Sequence, residues 1–284
     1  YRVLGDPADE PVVLIAGLSY DLTSWPDGFV AGLVDAGLRV IVFDSRDIGR
    51  STHLTGARPP RRRWLTGRAS PLGYDLADLA ADTVVLLDRL GIGRAHVVGT
   101  SLGGMIAQTM AALRPDRVAS LVSMYSTTGA PGVGQPDASS RRKLAHRRPR
   151  SADEYAAQYL SMIHHIGSPT HPVDDVREAA WARGLWERAD GRVSAGVVRQ
   201  INAILRSGDR TAQVRRITAP TLVIHGDTDL MVHPSGGAAT AAAIPGARLV
   251  TVPGLRHHIA PGLTDELVGL VVGQVRAHPA GGRE

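Results

Sequence analysis

Short apolar runs alternate with segments of helical period along most of the chain. Candidate strands are Val12 to Ala16, Arg39 to Asp44, His96 to Thr100, Val118 to Tyr125, Thr221 to His225 and Arg248 to Val252. Between them, Asp75 to Leu90 sets Leu76, Leu79, Val84, Leu86, Leu87 and Leu90 near a stripe of helical period and stops at Gly91, a C-terminal cap. This alternation predicts crossover units on a parallel sheet with helices on its faces.

The pattern breaks after Tyr125 and resumes at Pro220. The break opens on a loop containing Gly129, Pro131, Gly132, Gly134 and Pro136. Amphipathic helices then read over Ala152 to Ile166, Val173 to Arg188 and Gly196 to Leu205, with Gly167, Pro169 and Pro172 marking the first junction. The expected organisation is a core of residues 1–126 and 213–284 interrupted by a helical lid over 127–212.

Composition sharpens this. Of the 284 residues 43% are hydrophobic but only 4% aromatic, so the core must be aliphatic, as in buried parallel strands. Having no cysteine, the chain can form no disulfide, thiolate zinc site or cysteine nucleophile. No apolar run approaches the roughly 18 residues of a membrane span, and the chain opens at Tyr1 without a basic, apolar leader, so the expectation is a soluble, cytoplasmic protein.

The net charge of +5 comes almost wholly from arginine, with Lys143 the one lysine. The densest basic runs, Arg61 to Arg63 and Arg141 to Arg150, fall in loops without interleaved aromatic residues, so they read as solvated charge and nucleic acid is not an expected partner.

Gly99-Thr100-Ser101-Leu102-Gly103 has the form G-x-S-x-G, between the apolar run His96-Val97-Val98 and the helical stretch Met105 to Leu113. That context predicts a sharp strand-to-helix turn displaying Ser101, tight enough that a side chain at Gly99 or Gly103 would collide with its neighbours. The backbone N–H of Leu102, at the start of the helix, is then an oxyanion donor. Gly99 and Gly104 also have the spacing of a phosphate loop, but Met105 and Ile106 stand where that loop needs Lys and Ser/Thr.

A serine nucleophile needs a histidine base that is itself oriented by a carboxylate. The strand Thr221 to His225 runs into Gly226-Asp227-Thr228-Asp229, and the last strand runs into Pro253-Gly254-Leu255-Arg256-His257-His258. Acid and histidine thus fall on successive strand ends, on the same edge as Ser101. Asp227 competes with Asp229 and His257 with His258, and the residues alone leave both choices open. His96, His164, His165, His171, His225, His233 and His278 show no metal-ligand spacing and read as structural or exposed. No metal or cofactor is called for.

With these pieces the chain resembles the α/β-hydrolase superfamily over nearly its whole length. The resemblance rests on Leu14-Ile15-Ala16-Gly17-Leu18, on Asp44-Ser45-Arg46-Asp47-Ile48-Gly49-Arg50-Ser51, on the elbow, and on the Asp229 and His257 stretches. It implies an α/β-hydrolase fold: a mostly parallel sheet flanked by helices, with an inserted helical lid. It further implies Asp229 as acid, Asp227 as turn former, His257 as base and the N–H of Leu18 as second oxyanion donor. Asp44, Arg46 and Ser51 then brace a nearby loop. The chain departs from the family where Arg256 replaces the usual Gly before the histidine, and where Ala16 replaces a frequent His.

Within the superfamily the chain is most similar to bacterial small-molecule esterases of the aclacinomycin methylesterase type, an impression to which Trp25-Pro26 and Ser126-Thr127-Thr128-Gly129 contribute. The resemblance implies a serine hydrolase that cleaves a carboxylic ester through an acyl-enzyme. The lid helices carry Tyr155, Tyr159, Met162, Ile163, Trp181, Leu185 and Trp186. Of these, Tyr155, Met162, Trp181 and Trp186 are the expected pocket lining, and such a roof favours a bulky hydrophobic small molecule. Other readings are a cofactor-free lyase, cyclase or perhydrolase on the same pocket, or a non-catalytic binding protein. Against the last, folding alone does not require Ser101, Asp229 and His257 together.

Overall fold

The computed structural model describes residues 1–56, 59–60, 63, 67–144 and 148–281, without the side chains of 194 and 195. Parts of the two basic runs, 61–62 and 145–147, lie outside the described residues; Arg141, Arg142, Arg148 and Arg150 are exposed.

The strands are β1 (Arg2–Leu4), β2 (Glu10–Ile15), β3 (Leu38–Val42), β4 (Ala95–Thr100), β5 (Val118–Met124), β6 (Thr221–Gly226) and β7 (Arg248–Val252). They form one sheet in the order β1-β3-β2-β4-β5-β6-β7, parallel except where β1 pairs with β3. Every strand expected from the sequence is present, with ends displaced by no more than two residues. β1 left no imprint on the hydrophobic pattern because all three of its residues are exposed.

The helices are α1 (Asp27–Asp35), α2 (Leu76–Arg89), α3 (Leu102–Leu113), α4 (Ala138–Leu144), α5 (Ala152–Ile166), α6 (Asp175–Arg188), α7 (Val193–Ser207), α8 (Thr211–Val214), α9 (Ser235–Ala243) and α10 (Thr264–Arg276). Alternate strand residues face opposite layers. Val13, Ile41, Val97 and Leu121 meet Leu79 and Leu87 of α2 and Ile106 and Met110 of α3. Val12, Val40, Val98 and Leu222 meet Phe29 and Leu33 of α1 and Leu267 and Val271 of α10. β4, β5 and β6 are buried at every position, which is why they read as continuous apolar runs. α2 begins where Asp75 accepts the N–H groups of Ala77 and Asp78, and ends before Gly91 at φ +68°.

Helices α4 to α8 all lie between β5 and β6. α5 matches its expected bounds, whereas α6 starts two residues later than expected because Asp174 caps it. α5 and α6 pack over the loop that follows β2: Tyr20 meets Tyr159 and Trp181 edge-on at 6.5 and 5.7 Å, and the Trp181 indole N–H donates to the Thr23 carbonyl at 3.0 Å.

Buried and half-buried arginines fasten the inserted segment to the core. Arg188 donates to Asp21 at 2.6 Å and Asp44 at 2.5 Å, and Arg199 to Asp47 at 3.1 Å. Asp44 also accepts the N–H groups of Leu22 and Arg50, and Ser51 donates to its carbonyl, whereas Arg46, expected to share this bracing, pairs instead with Asp82 of α2. Arg210 donates to the carbonyls of Met105 and Thr127 and to Gln108, and burial draws its pKa down to about 10. Replacing Arg188 with Ala leaves Asp21 and Asp44 buried without their cation. The expected loss of about 3 kcal/mol is read as a lowered midpoint in urea unfolding; an unchanged midpoint would contradict it.

Candidate active site

The turn between β4 and α3 holds Ser101 at φ 53° and ψ −117°, a conformation that side chains rarely adopt and that must be enforced from outside. The Ser101 N–H donates to the Met124 carbonyl at 2.9 Å, and the Ser101 carbonyl accepts the Met105 N–H at 3.1 Å and the Ser126 hydroxyl at 2.7 Å. The glycines allow the close approach. A Cβ on Gly99 would lie 2.2 Å from the Gly103 carbonyl oxygen, and one on Gly103 would lie 1.9 Å from that of Ile15. Gly104 is required too, since a Cβ there would come within 2.6 Å of the Ser126 side chain.

Ser101 Oγ is 2.8 Å from Nε2 of His257, whose Nδ1 is 2.8 Å from Oδ2 of Asp229. Three residues distant in sequence thus form one hydrogen-bonded relay. Asp229 is buried, and its Oδ1 accepts the N–H groups of Met231 at 2.7 Å and Val232 at 3.0 Å. Burial alone would raise its pKa. The charge of His257 and hydrogen bonds from His225, His257 and Val232 outweigh that and hold the carboxyl well below the usual range. An ionised Asp229 can only accept, so His257 carries its proton on Nδ1 and leaves Nε2 free to accept from the Ser101 hydroxyl.

Asp227 is exposed and accepts from the Gly254 N–H at 3.2 Å, bridging the two strand-end loops. Gly226 lets those loops meet, since a Cβ there would lie 1.6 Å from the Leu255 carbonyl oxygen. His258 lines a cavity of ≈ 20 Å³ together with Tyr20, Trp25, Thr100, Tyr125 and His257. Burial, then the charge of His257, lowers its pKa to about 4. The cavity has room for about one water molecule.

Gly17 abuts the elbow, its hypothetical Cβ 3.5 Å from that of Ser101; Leu18 follows it, and Leu102 stands at the head of α3. Among the described residues, neither of those N–H groups donates to a carbonyl. Tyr155 packs on Trp186 at 5.8 Å and Trp181 on Tyr159 at 5.0 Å, with Met162 in the same α5–α6 cluster. None of Tyr155, Met162, Trp181 and Trp186 bounds the small cavity.

Sequence reasoning did not single out Tyr20, which bounds that cavity, nor Tyr125, whose ring lies 5.0 Å from that of His257. It also read as structural or exposed the buried His225, whose Nε2 is 2.8 Å from the Val232 carbonyl oxygen and 3.5 Å from Oδ2 of Asp229. Spacing carries no signal for these residues, because each reaches the site through a tertiary contact. Among the described residues, no group of three or more His, Asp or Glu side chains is placed to hold a metal ion, and no helix is long and apolar enough to cross a membrane.

Residues 10–260 match a family model described as the alpha/beta hydrolase fold. The chain is 31% identical to rhodomycin D methylesterase DnrP of Streptomyces peucetius, over 96% of this chain and 93% of that protein. It is 30% identical, with the same coverage, to rhodomycin D methylesterase DauP of Streptomyces sp. (strain C5). Among solved structures, a hydrolase from Pseudomonas aeruginosa PA01 superposes with a TM-score of 0.68 at 28% identity, over 97% of this chain and 92% of that one.

Proposed function

The chain belongs to the alpha/beta hydrolase family and is a carboxylic ester hydrolase acting on a small molecule, and from that premise we propose a serine mechanism through an acyl-enzyme. The observation that carries the proposal is the relay from Ser101 Oγ through His257 to Asp229, with 2.8 Å at each link.

In the first half-reaction His257 Nε2 takes the Ser101 proton as Oγ attacks the ester carbonyl carbon, and the oxyanion forms toward the N–H groups of Leu18 and Leu102. The bond to the alkoxide breaks, and His257 returns the proton to the departing alcohol. In the second, His257 takes a proton from water as the water oxygen attacks the acyl carbon, and gives it to Ser101 as the acid leaves. Asp229 stays ionised throughout and holds the Nδ1 proton in place.

The substrate we assign is a methyl ester of a bulky, hydrophobic, polycyclic acid. Relatives named as rhodomycin D methylesterases support it, as does the apolar roof of α5 and α6. We assign residues 127–212 as the lid, and Tyr155, Met162, Trp181 and Trp186 as the residues of that roof that meet the ester. The space beside His257 is about one water in size and is bounded by Tyr20, Trp25 and Tyr125, so a large acyl group binds only with rearrangement around Ser101. Measured kcat/KM is expected to be higher for polycyclic aryl methyl esters than for p-nitrophenyl acetate. A preference for the acetate would overturn the substrate assignment and leave the serine mechanism standing.

A further inference from the structure

Arg256 stands where resemblance to the family leads one to expect Gly, immediately before His257. Its guanidinium Nη1 donates to the His165 carbonyl at 3.2 Å, and the backbone N–H of His257 donates to the Ile166 carbonyl at 2.9 Å. Both acceptors belong to the last turn of α5, where carbonyls lack partners within the helix and carry the negative end of its dipole. A cation and an N–H from the base loop therefore fill the end of a helix in the inserted segment.

The same turn reaches the acid loop. Nε2 of His165 lies 3.0 Å from the Ser140 hydroxyl and 2.9 Å from that of Ser139. Ser140, fully buried, donates its proton to the Leu230 carbonyl at 2.8 Å, so it accepts from His165 and fixes the proton of that ring on Nε2. The backbone N–H of Asp137 donates to the same Leu230 carbonyl at 3.1 Å. Leu230 follows Asp229. A continuous run of hydrogen bonds thus leads from the residue after the acid, through Ser140, His165 and the end of α5, to the residue before the base and to the base itself.

We propose that the inserted segment is a brace fixing the acid loop against the base loop, with Arg256, His165 and Ser140 as positioning residues for His257 and Asp229. The proposal rests on the serine mechanism above. Catalysis by such a relay is sensitive to displacement, and a shift of about 1 Å can cost on the order of a hundredfold in rate. Arg256 uses one N–H to one carbonyl, a bond that a lysine ammonium can also make.

The test is turnover of p-nitrophenyl butyrate by Arg256→Ala, Arg256→Lys, Ser140→Ala and the unaltered protein. Rates are expressed per active serine, counted by complete labelling with a fluorophosphonate, so that a smaller folded fraction does not count as slower catalysis. In both alanine variants kcat per labelled site is expected to fall on the order of tenfold with KM little changed, and Arg256→Lys is expected to recover most of it. Unchanged kcat per site in either alanine variant would overturn the brace, as would an Arg256→Ala loss that Lys does not restore. No labelling of Ser101 in the unaltered protein would instead overturn the serine mechanism, a separate result from labelled sites indifferent to Arg256.

Discussion

Ester turnover by the Ser101→Ala variant is expected to fall on the order of 10⁵-fold. The alanine keeps the elbow's glycines and every backbone hydrogen bond that holds it, because Met105, Met124 and Ser126 all bond to the main chain of Ser101. Oγ alone is lost, and with it the attacking atom and the proton donor to His257 Nε2. Binding and the oxyanion donors survive and account for the residual rate. The measurement is kcat for a p-nitrophenyl ester, with circular dichroism to establish that the variant is folded. Retention of most of the activity would exclude an acyl-enzyme on Ser101 and favour a different use of the pocket.

Next in size is the effect of Asp229→Asn, a loss on the order of 10⁴-fold. Asn offers an oxygen to the N–H groups of Met231 and Val232 and so turns its amide NH₂ toward His257 Nδ1. An imidazole facing that donor must accept on Nδ1 and carry its proton on Nε2, the wrong tautomer for drawing a proton from Ser101. Asp227→Asn should change kcat little, since Asp227 is exposed and its contacts are to Gly254 and Thr228. The comparison of kcat between the two variants is the check: equal, small effects would place the acid elsewhere.

The parts of this molecule legible in the sequence are those whose chemistry repeats locally. Buried parallel strands declare themselves as apolar runs, and the elbow declares itself through glycines whose replacement would drive a Cβ into the Gly103 or Ile15 carbonyl. Asp229 and His257 lie after β6 and β7, the two strand ends read from the sequence. Spacing could not rank either against its neighbour, because the choice depends on which side chain turns inward at the end of a strand. In the structure His257 bonds to Ser101, while His258 lines the small cavity and makes no bond in the relay. The brace was illegible for a related reason: His165 and Arg256 lie far apart in sequence, and they meet only through a carbonyl at a helix end. α4 also went unnoticed, as a short helix with one buried residue leaves little periodic signal.

The inserted segment leaves the core and returns to it at nearly one point. The Arg210 N–H donates to the Thr128 carbonyl at 2.9 Å, and Gly129, at φ +80°, lies so close to Gly208 that a Cβ would come within 2.5 Å of its carbonyl oxygen. A chain whose exit and re-entry coincide is a cassette. Exchange of its contents for those of a relative is expected to keep the pairing of β5 and β6, which bond directly to each other. Exchange for new substrates then carries several architectural conditions, the first being cations for the buried Asp21, Asp44 and Asp47. The replacement must still end a helix over the base loop, so that its terminal carbonyls meet Arg256 and the His257 N–H, and must still present a donor to the carbonyl of Leu230. A graft chosen only for the shape of its roof would recognise its ligand and turn it over slowly.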